Sequence, residues 1–399
     1  MVVSIHAIDG DQFCAVVCSN SHIFVLKCAK NGSQSVELAS QVDLSDLTFP
    51  NAANNQQKLG KDNECNPSIL SSDVSADHKL LAVATTTKHV LLFELQSLPK
   101  CGNAIGGTWE ETKCQTIPKT PTAIHFSACG DTLLVGIRSG SLLQFRVNGA
   151  NFCPGGAIEL LSHFSMLLDH CLSPGRPNFL LSADRDEKVR VSRYPNTQII
   201  ECFCLGHTSF VNSLCCLNDE IAVSGGGDGI LRVWHFKMGH CLCVSPKMNN
   251  SPIRKLFPFP KKNQIFALFD GASEISLFNF DPRGPSVDLS RTFVGDGQFF
   301  DFAIDEKGRQ IFAVGRKGLF RCDFGADSAE SVGMEKADLE GEKWSKFSTE
   351  LANSTDLFPL EQLYKSVAFG NLENYQRKKE ERKRWKREGT ELAEEEEGD

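Results

Sequence analysis

Residues 203–236, FCLGHTSFVNSLCCLNDEIAVSGGGDGILRVWHF, decide how this chain folds. A Gly-His pair (Gly206, His207) precedes an alternating strand, and a second β-rich run, a Gly/Asp turn and a strand ending at Trp234 follow. If these strands lie side by side with a fourth, the loop before the first strand and the turn between the second and third fall at the same end of the sheet. His207 and Asp228 then meet there, and Ser224 and the Trp234 indole nitrogen extend the contact into a hydrogen-bonded tetrad across the sheet. One such four-stranded blade cannot cover both of its faces, so it requires neighbours of similar length.

Those neighbours are present in degraded form. Residues 65–95, 119–147, 251–280, 297–323 and 2–28 each show paired apolar, β-rich runs around a short polar turn. Residues 163–194 come closest to the first unit: His163 stands where His207 does and Asp186 is aligned with Asp228, but Ser192 replaces the tryptophan. About seven units at roughly 35–50 residue spacing predict an all-β chain, a seven-bladed WD40-type β-propeller spanning 1–324.

Two segments depart from the repeat. Residues 30–64 are rich in Asn, Gln and Ser, with little alternation, and read as a mobile polar insertion between the first two blades. A C-terminal extension, 325–399, follows the last blade. Within it, about 371–388 favours a helix, with Arg377/Glu381 and Glu380/Arg384 at i,i+4 spacing. Arg377, Lys378, Lys379, Arg382, Lys383, Arg384, Lys386 and Arg387 make that helix basic in a chain whose net charge is −8, and 391–399 forms an acidic tail.

Composition narrows the function classes. The chain has 399 residues, 41% of them hydrophobic, which is ample for a large core. No run of about 18 apolar residues is present, so no transmembrane helix is expected, and the N-terminus is a poor signal peptide. The 16 cysteines are scattered singly or in tight pairs without C-x-x-C, and read as reduced residues, mostly buried. A metal at His207, Cys202 and Cys204 is the alternative, against which stands the lack of zinc-ligand spacing; no metal is expected. There is no phosphate-binding G-x-x-x-x-G-K-[ST], no G-x-S-x-G and no H-E-x-x-H. Gly225–Gly229 leads into a strand, where phosphate binding needs a helix N-terminus. No catalytic residue and no cofactor are assigned.

HFSMLLD (163–169), SADRDEKVRVS (182–192), CLGHTSFV (204–211) and LYKSVAFGNLENYQRKKEER (363–382) together resemble the WD-repeat non-catalytic subunit of the eukaryotic tRNA (guanine-N7)-methyltransferase. SADRDEKVRVS is the specific run, since a charged cluster ending in serine is unusual for a generic blade. The likeness is close in blades four and five and the C-terminal helix, and elsewhere rests on repeat architecture. It implies a propeller that binds and stabilises an S-adenosylmethionine-dependent catalytic subunit as a heterodimer. The pair methylates N7 of a guanine in the tRNA variable loop, and S-adenosylmethionine resides on the partner.

By that resemblance the 184–188 turn contacts the partner, with Arg185 the first candidate and Lys188 the second. On its own such a turn is a solvated cluster whose ion pairs contribute only about 0–1 kcal/mol. Arginine on a rigid turn nevertheless suits a desolvated carboxylate across an interface. The basic helix, with Tyr375 and Trp385 interleaved, suits RNA phosphates or a nuclear import signal, and both stay open. The nucleus is the expected location, with the cytoplasm a further site. Two other classes remain: a WD-repeat scaffold in another nuclear complex, such as chromatin or ubiquitin-ligase recognition, and a propeller enzyme.

Overall fold

The computed structural model describes residues 3–7, 15–28, 36–48, 67–95, 107–108, 113–176, 178–248, 250–305, 310–324, 330–337, 360–365, and 373, 376–378, 380–381 and 384. They form seven mainly antiparallel sheets arranged as the blades of a β-propeller, with one parallel strand added to the sixth, and a small parallel pair, Leu47–Thr48 with Gly107–Thr108. Blade 4 comprises Leu167–Leu172, Phe179–Asp184, Lys188–Arg193 and Ile200–Leu205; blade 5 comprises Val211–Cys216, Ile221–Gly226, Arg232–His235 and His240–Val244.

The second strand of each blade shows why the blades form. Ala15–Ser19 (AVVCS), Leu80–Thr85 (LLAVAT) and Thr132–Ile137 (TLLVGI) are buried at every position. Such continuous runs of small and β-branched residues mark strands covered on both faces. Each blade packs its faces against its two neighbours, so the interior is a ring of interblade cores. Leu181, Val191, Val211 and Trp234 fill the junction of blades 4 and 5, for example, and Ile5, Phe24, Phe312 and Val314 fill that of blades 1 and 7.

The first strands of adjacent blades lie side by side around the axis, and polar side chains stitch them together. The Asp169 carboxylate accepts the Leu214 N–H at 2.7 Å, the Ser213 hydroxyl accepts the Leu256 N–H at 2.8 Å, and Asp73 accepts the Phe126 N–H at 2.8 Å. Asp301 accepts the Ile5 N–H at 2.9 Å, so the bond from the last blade to the first closes the ring. A β-bulge precedes Asp169, Ser213 and Asp301 in their strands. The extra residue bends each strand and re-aims the side chain that follows, here toward the next blade.

The structure corrects two sequence boundaries. Residues 36–43 of the expected insertion are the fourth strand of blade 1, Val36–Asp43, paired with His22–Cys28; a strand inside a polar, Asn/Gln/Ser-rich stretch gives too little period to be read from sequence. Residues 30–35 and 49–64 of that segment lie outside the described residues. The propeller also continues past 324: Glu335–Lys336 completes blade 7 and Ser331–Gly333 adds to blade 6.

Candidate partner-binding surface

In blade 5 the His207 Nδ1–H donates to Asp228 Oδ2 at 2.9 Å and Nε2 accepts from the Ser224 hydroxyl at 2.7 Å. Ser224 Oγ in turn accepts the Trp234 indole N–H at 2.7 Å, beneath a fully buried ring. This tautomer satisfies every polar atom of the tetrad. Burial raises the Asp228 pKa, but hydrogen bonds from His207 and from the Ile230 and Thr208 N–H groups outweigh it and hold the carboxyl below its usual range. With both ring nitrogens of His207 committed, the histidine is unavailable to a metal, and the Cys202 thiol donates to the Phe236 carbonyl. No group of three or more metal-ligating side chains occurs among the described residues. Gly226 lies so close to blade 5's first strand that a Cβ there would sit 1.8 Å from the Phe210 carbonyl oxygen. The glycine run is therefore a site of backbone packing.

Blade 4 repeats the tetrad with a change of partners. His163 Nδ1 meets Asp184 Oδ2 at 2.9 Å and Nε2 meets Ser182 Oγ at 2.8 Å. Asp184, not Asp186, is thus the counterpart of Asp228; both stand 21 residues after their histidine. Asp184 also accepts the N–H groups of Asp186 and Lys188, so the turn's cap is Asp184 as well. At the position of the tryptophan, buried Ser192 takes a hydrogen bond from Arg190 Nε at 2.9 Å.

The charged turn is not the free surface expected of it. Arg185 Nε donates to the Leu363 carbonyl at 2.9 Å and Nη2 to that of Tyr364 at 3.2 Å. Residues 360–365, which include the short 3-10 helix Leu360–Leu363, lie as a strap across blades 4 and 5. Leu360 and Leu363 are buried against Leu168 and Phe210. The Tyr364 ring packs edge-on to Phe210 with centroids 5.1 Å apart, and its hydroxyl donates to the Gly227 carbonyl at 2.9 Å. Lys365 Nζ pairs with Asp186 at 2.8 Å and Glu187 at 3.8 Å, which steadies Glu187 at a φ of 70°, in the left-handed region. Lys188 Nζ stands a loose 4.0 Å from Asp186, a third of its side chain exposed.

Sequence reasoning missed the strap. Its signal was the spacing of Leu360, Leu363 and Tyr364, apolar at i, i+3 and i+4, which shows one apolar face without showing what covers it. Of the basic residues, Arg377, Lys378 and Arg384 are described, with helical backbone and exposed. Lys379, Arg382, Lys383, Lys386, Arg387 and the acidic tail lie outside the described residues.

A family model for the tRNA methyltransferase TRM82 WD40 domain matches residues 157–315, from the outer strand of blade 3 to the second strand of blade 7. A Caenorhabditis elegans tRNA (guanine-N(7)-)-methyltransferase non-catalytic subunit is 30% identical over 317 residues, 77% of this chain and 74% of that one. The chain belongs to this family. Another member, the Danio rerio non-catalytic subunit wdr4, is 36% identical over 240 residues, covering 57% of this chain and 54% of its own. The Homo sapiens non-catalytic subunit WDR4 is 30% identical over 267 residues, 63% of this chain and 61% of that one. Among solved structures, U3-55K (TM-score 0.60, 16% identity, 83% of this chain and 94% of that one) shares the propeller fold. So do the RRP9 WD40 repeats (TM-score 0.58, 15% identity, 79% and 87%). As a non-catalytic subunit the chain is not the catalyst. The histidine–aspartate pairs of blades 4 and 5, which have the look of an acid and its base, have their protons tied up in structural tetrads.

Proposed function

We propose that this subunit binds and stabilises, as a heterodimer, an S-adenosylmethionine-dependent catalytic subunit that methylates N7 of a guanine in the tRNA variable loop, and that the blade-4 turn is its docking surface. The observation that carries this reading is the pre-organisation of Arg185. One edge of its guanidinium grips two strap carbonyls, and among the described residues nothing occupies the Nη1 side of the fork, where a partner carboxylate would sit. An arginine already ordered loses little side-chain entropy on binding. Lys188 supplies a second, more mobile charge beside it. S-adenosylmethionine belongs to the partner, since the glycine-rich turn of this chain is filled by its own backbone. The basic segment 371–388 contacts tRNA phosphates, and the nucleus is the place of action.

Reconstitution tests this. The full chain with tRNA and S-adenosylmethionine should transfer no methyl group, and addition of the purified catalytic subunit should yield a one-to-one complex and methylation at guanine N7. Methyl transfer by the isolated chain, or a catalytic subunit that ignores it, would refute the proposal.

A further inference from the structure

We propose that Phe164 is the apolar anchor through which this subunit holds its catalytic partner, an inference that rests on reading the blade-4 turn as the docking surface. Phe164 is 112% exposed, whereas among the described residues the next most exposed large apolar side chain, Met238, is 59% exposed. Solitary, half-covered apolar residues are ordinary on a protein surface; a whole phenylalanine ring in water is not.

The loop that carries it cannot fold back to hide it. On one side, His163 is buried in the tetrad with Asp184 and Ser182, and its N–H donates to the Gly140 carbonyl at 3.0 Å. On the other, the Ser165 hydroxyl donates to Asp186 at 2.9 Å, and the Met166 carbonyl accepts the Arg185 N–H at 2.9 Å. Gly140, at a φ of 101°, presses on the loop so closely that a Cβ there would lie 2.3 Å from the His163 carbonyl oxygen and 2.6 Å from that of Ser165. The ring is thus held outward by a backbone fixed before and after it, and none of the described residues covers it.

The occupant follows from what surrounds the ring. The Ser165–Asp186 bond sets Phe164 beside the turn that bears Arg185 and Lys188, so the aromatic anchor stands next to one cation held by the strap and a second, looser one. Its complement is an apolar recess rimmed by carboxylates, on the protein that the turn receives. Interfaces concentrate their energy in such rigid aromatic centres, with charges at the rim, and a loop already ordered loses little entropy on docking.

The test compares Phe164→Ala and Phe164→Leu with the parent, each as the full chain titrated with the purified catalytic subunit. Phe164→Ala should raise the partner dissociation constant about tenfold or more, mainly through faster release. Phe164→Leu should recover most of the affinity. The melting temperature of the free chain should not change, because a fully exposed side chain contributes no packing. Equal partner affinity for parent and Phe164→Ala would overturn the assignment. So would equal partner affinity combined with weaker tRNA binding, which would make the ring a platform for base stacking. A parent chain that binds no catalytic subunit would overturn the proposed function itself, and this inference with it.

Discussion

His125 shows how far a single side chain's chemistry is set by neighbours on other blades. Its ring, on the first strand of blade 3, stands 3.0 Å from Asp169 of blade 4 and 3.7 Å from Asp73 of blade 2. Burial lowers its pKa, but hydrogen bonds to the two carboxylates and their charges outweigh burial and raise it from 6.5 to about 10. His170 packs edge-on at 4.9 Å, and burial together with the charge of His125 keeps its own pKa well below 6.5. His6 is lowered to about 4, chiefly by desolvation, so His125 is the cation among these three histidines. Because its folded-state pKa lies above the unfolded value, its contribution to stability is complete below pH 6.5 and is lost as pH rises through about 10. The melting temperature of the parent should therefore exceed that of His125→Gln most at pH 6, with the gap shrinking steadily toward pH 10. Parallel melting curves over that range would show that the ring is not charged in the folded state.

At the scale of elements, the strap joins the blade-4 turn to the C-terminal extension, and each holds the other. Arg185 fixes the strap by the carbonyls of Leu363 and Tyr364, while Lys365 neutralises the acidic side of the turn. Arg185→Glu puts a carboxylate against two carbonyl oxygens and should release residues 360–365, seen as faster amide exchange there. Partner affinity should fall by well over tenfold, the scale for disrupting a charged contact that is largely desolvated. Tyr364→Ala removes the Phe210 packing and the Gly227 hydrogen bond while sparing the arginine. It should free the strap equally but cost the partner less, since Arg185 keeps its charge and loses only its order. If Tyr364→Ala weakens the partner as much as Arg185→Glu, the strap rather than the guanidinium makes the contact.

Across the whole molecule, the strap ends at Lys365, beside Asp186 and Glu187, and the basic segment begins a few residues later. Arg377, the first cation of that segment, stands 12 positions after Lys365, and twelve residues span at most about 43 Å, so the cationic segment starts within that reach of the propeller end at which we place the catalytic subunit. On the proposed function, such a tether would raise the local concentration of the basic segment at the tRNA once the partner has docked. Deletion of 371–399 should leave the propeller folded and partner affinity intact, yet weaken tRNA binding by the complex. The salt dependence should flatten by about 0.7–0.9 in slope for each phosphate that the segment neutralises. An unchanged slope with nuclear accumulation abolished would assign the segment to import alone.

What the sequence determined by itself is what one blade contains. His207, Ser224, Asp228 and Trp234 fall within 28 residues, and a four-stranded meander leaves them one way to meet, so their spacing forecasts their hydrogen bonds. The same locality makes the seven repeats legible, because two-sided burial writes itself as unbroken apolar strands. It fails where two like residues compete for one place: Asp184 and Asp186 differ in sequence by two positions, and burial alone tells which one meets His163. It fails again where contacts cross the ring. Arg185 lies 178 residues from Leu363, and Asp301 lies 296 from Ile5, and no periodicity relates such partners. The exposure of Phe164 is of this second kind, since the neighbours that keep its loop from closing come from other strands and turns. Only the closed ring, which forces blade against blade and seats residues 360–365 across blades 4 and 5, decides which of the described charges are paired inside the molecule and which stand exposed.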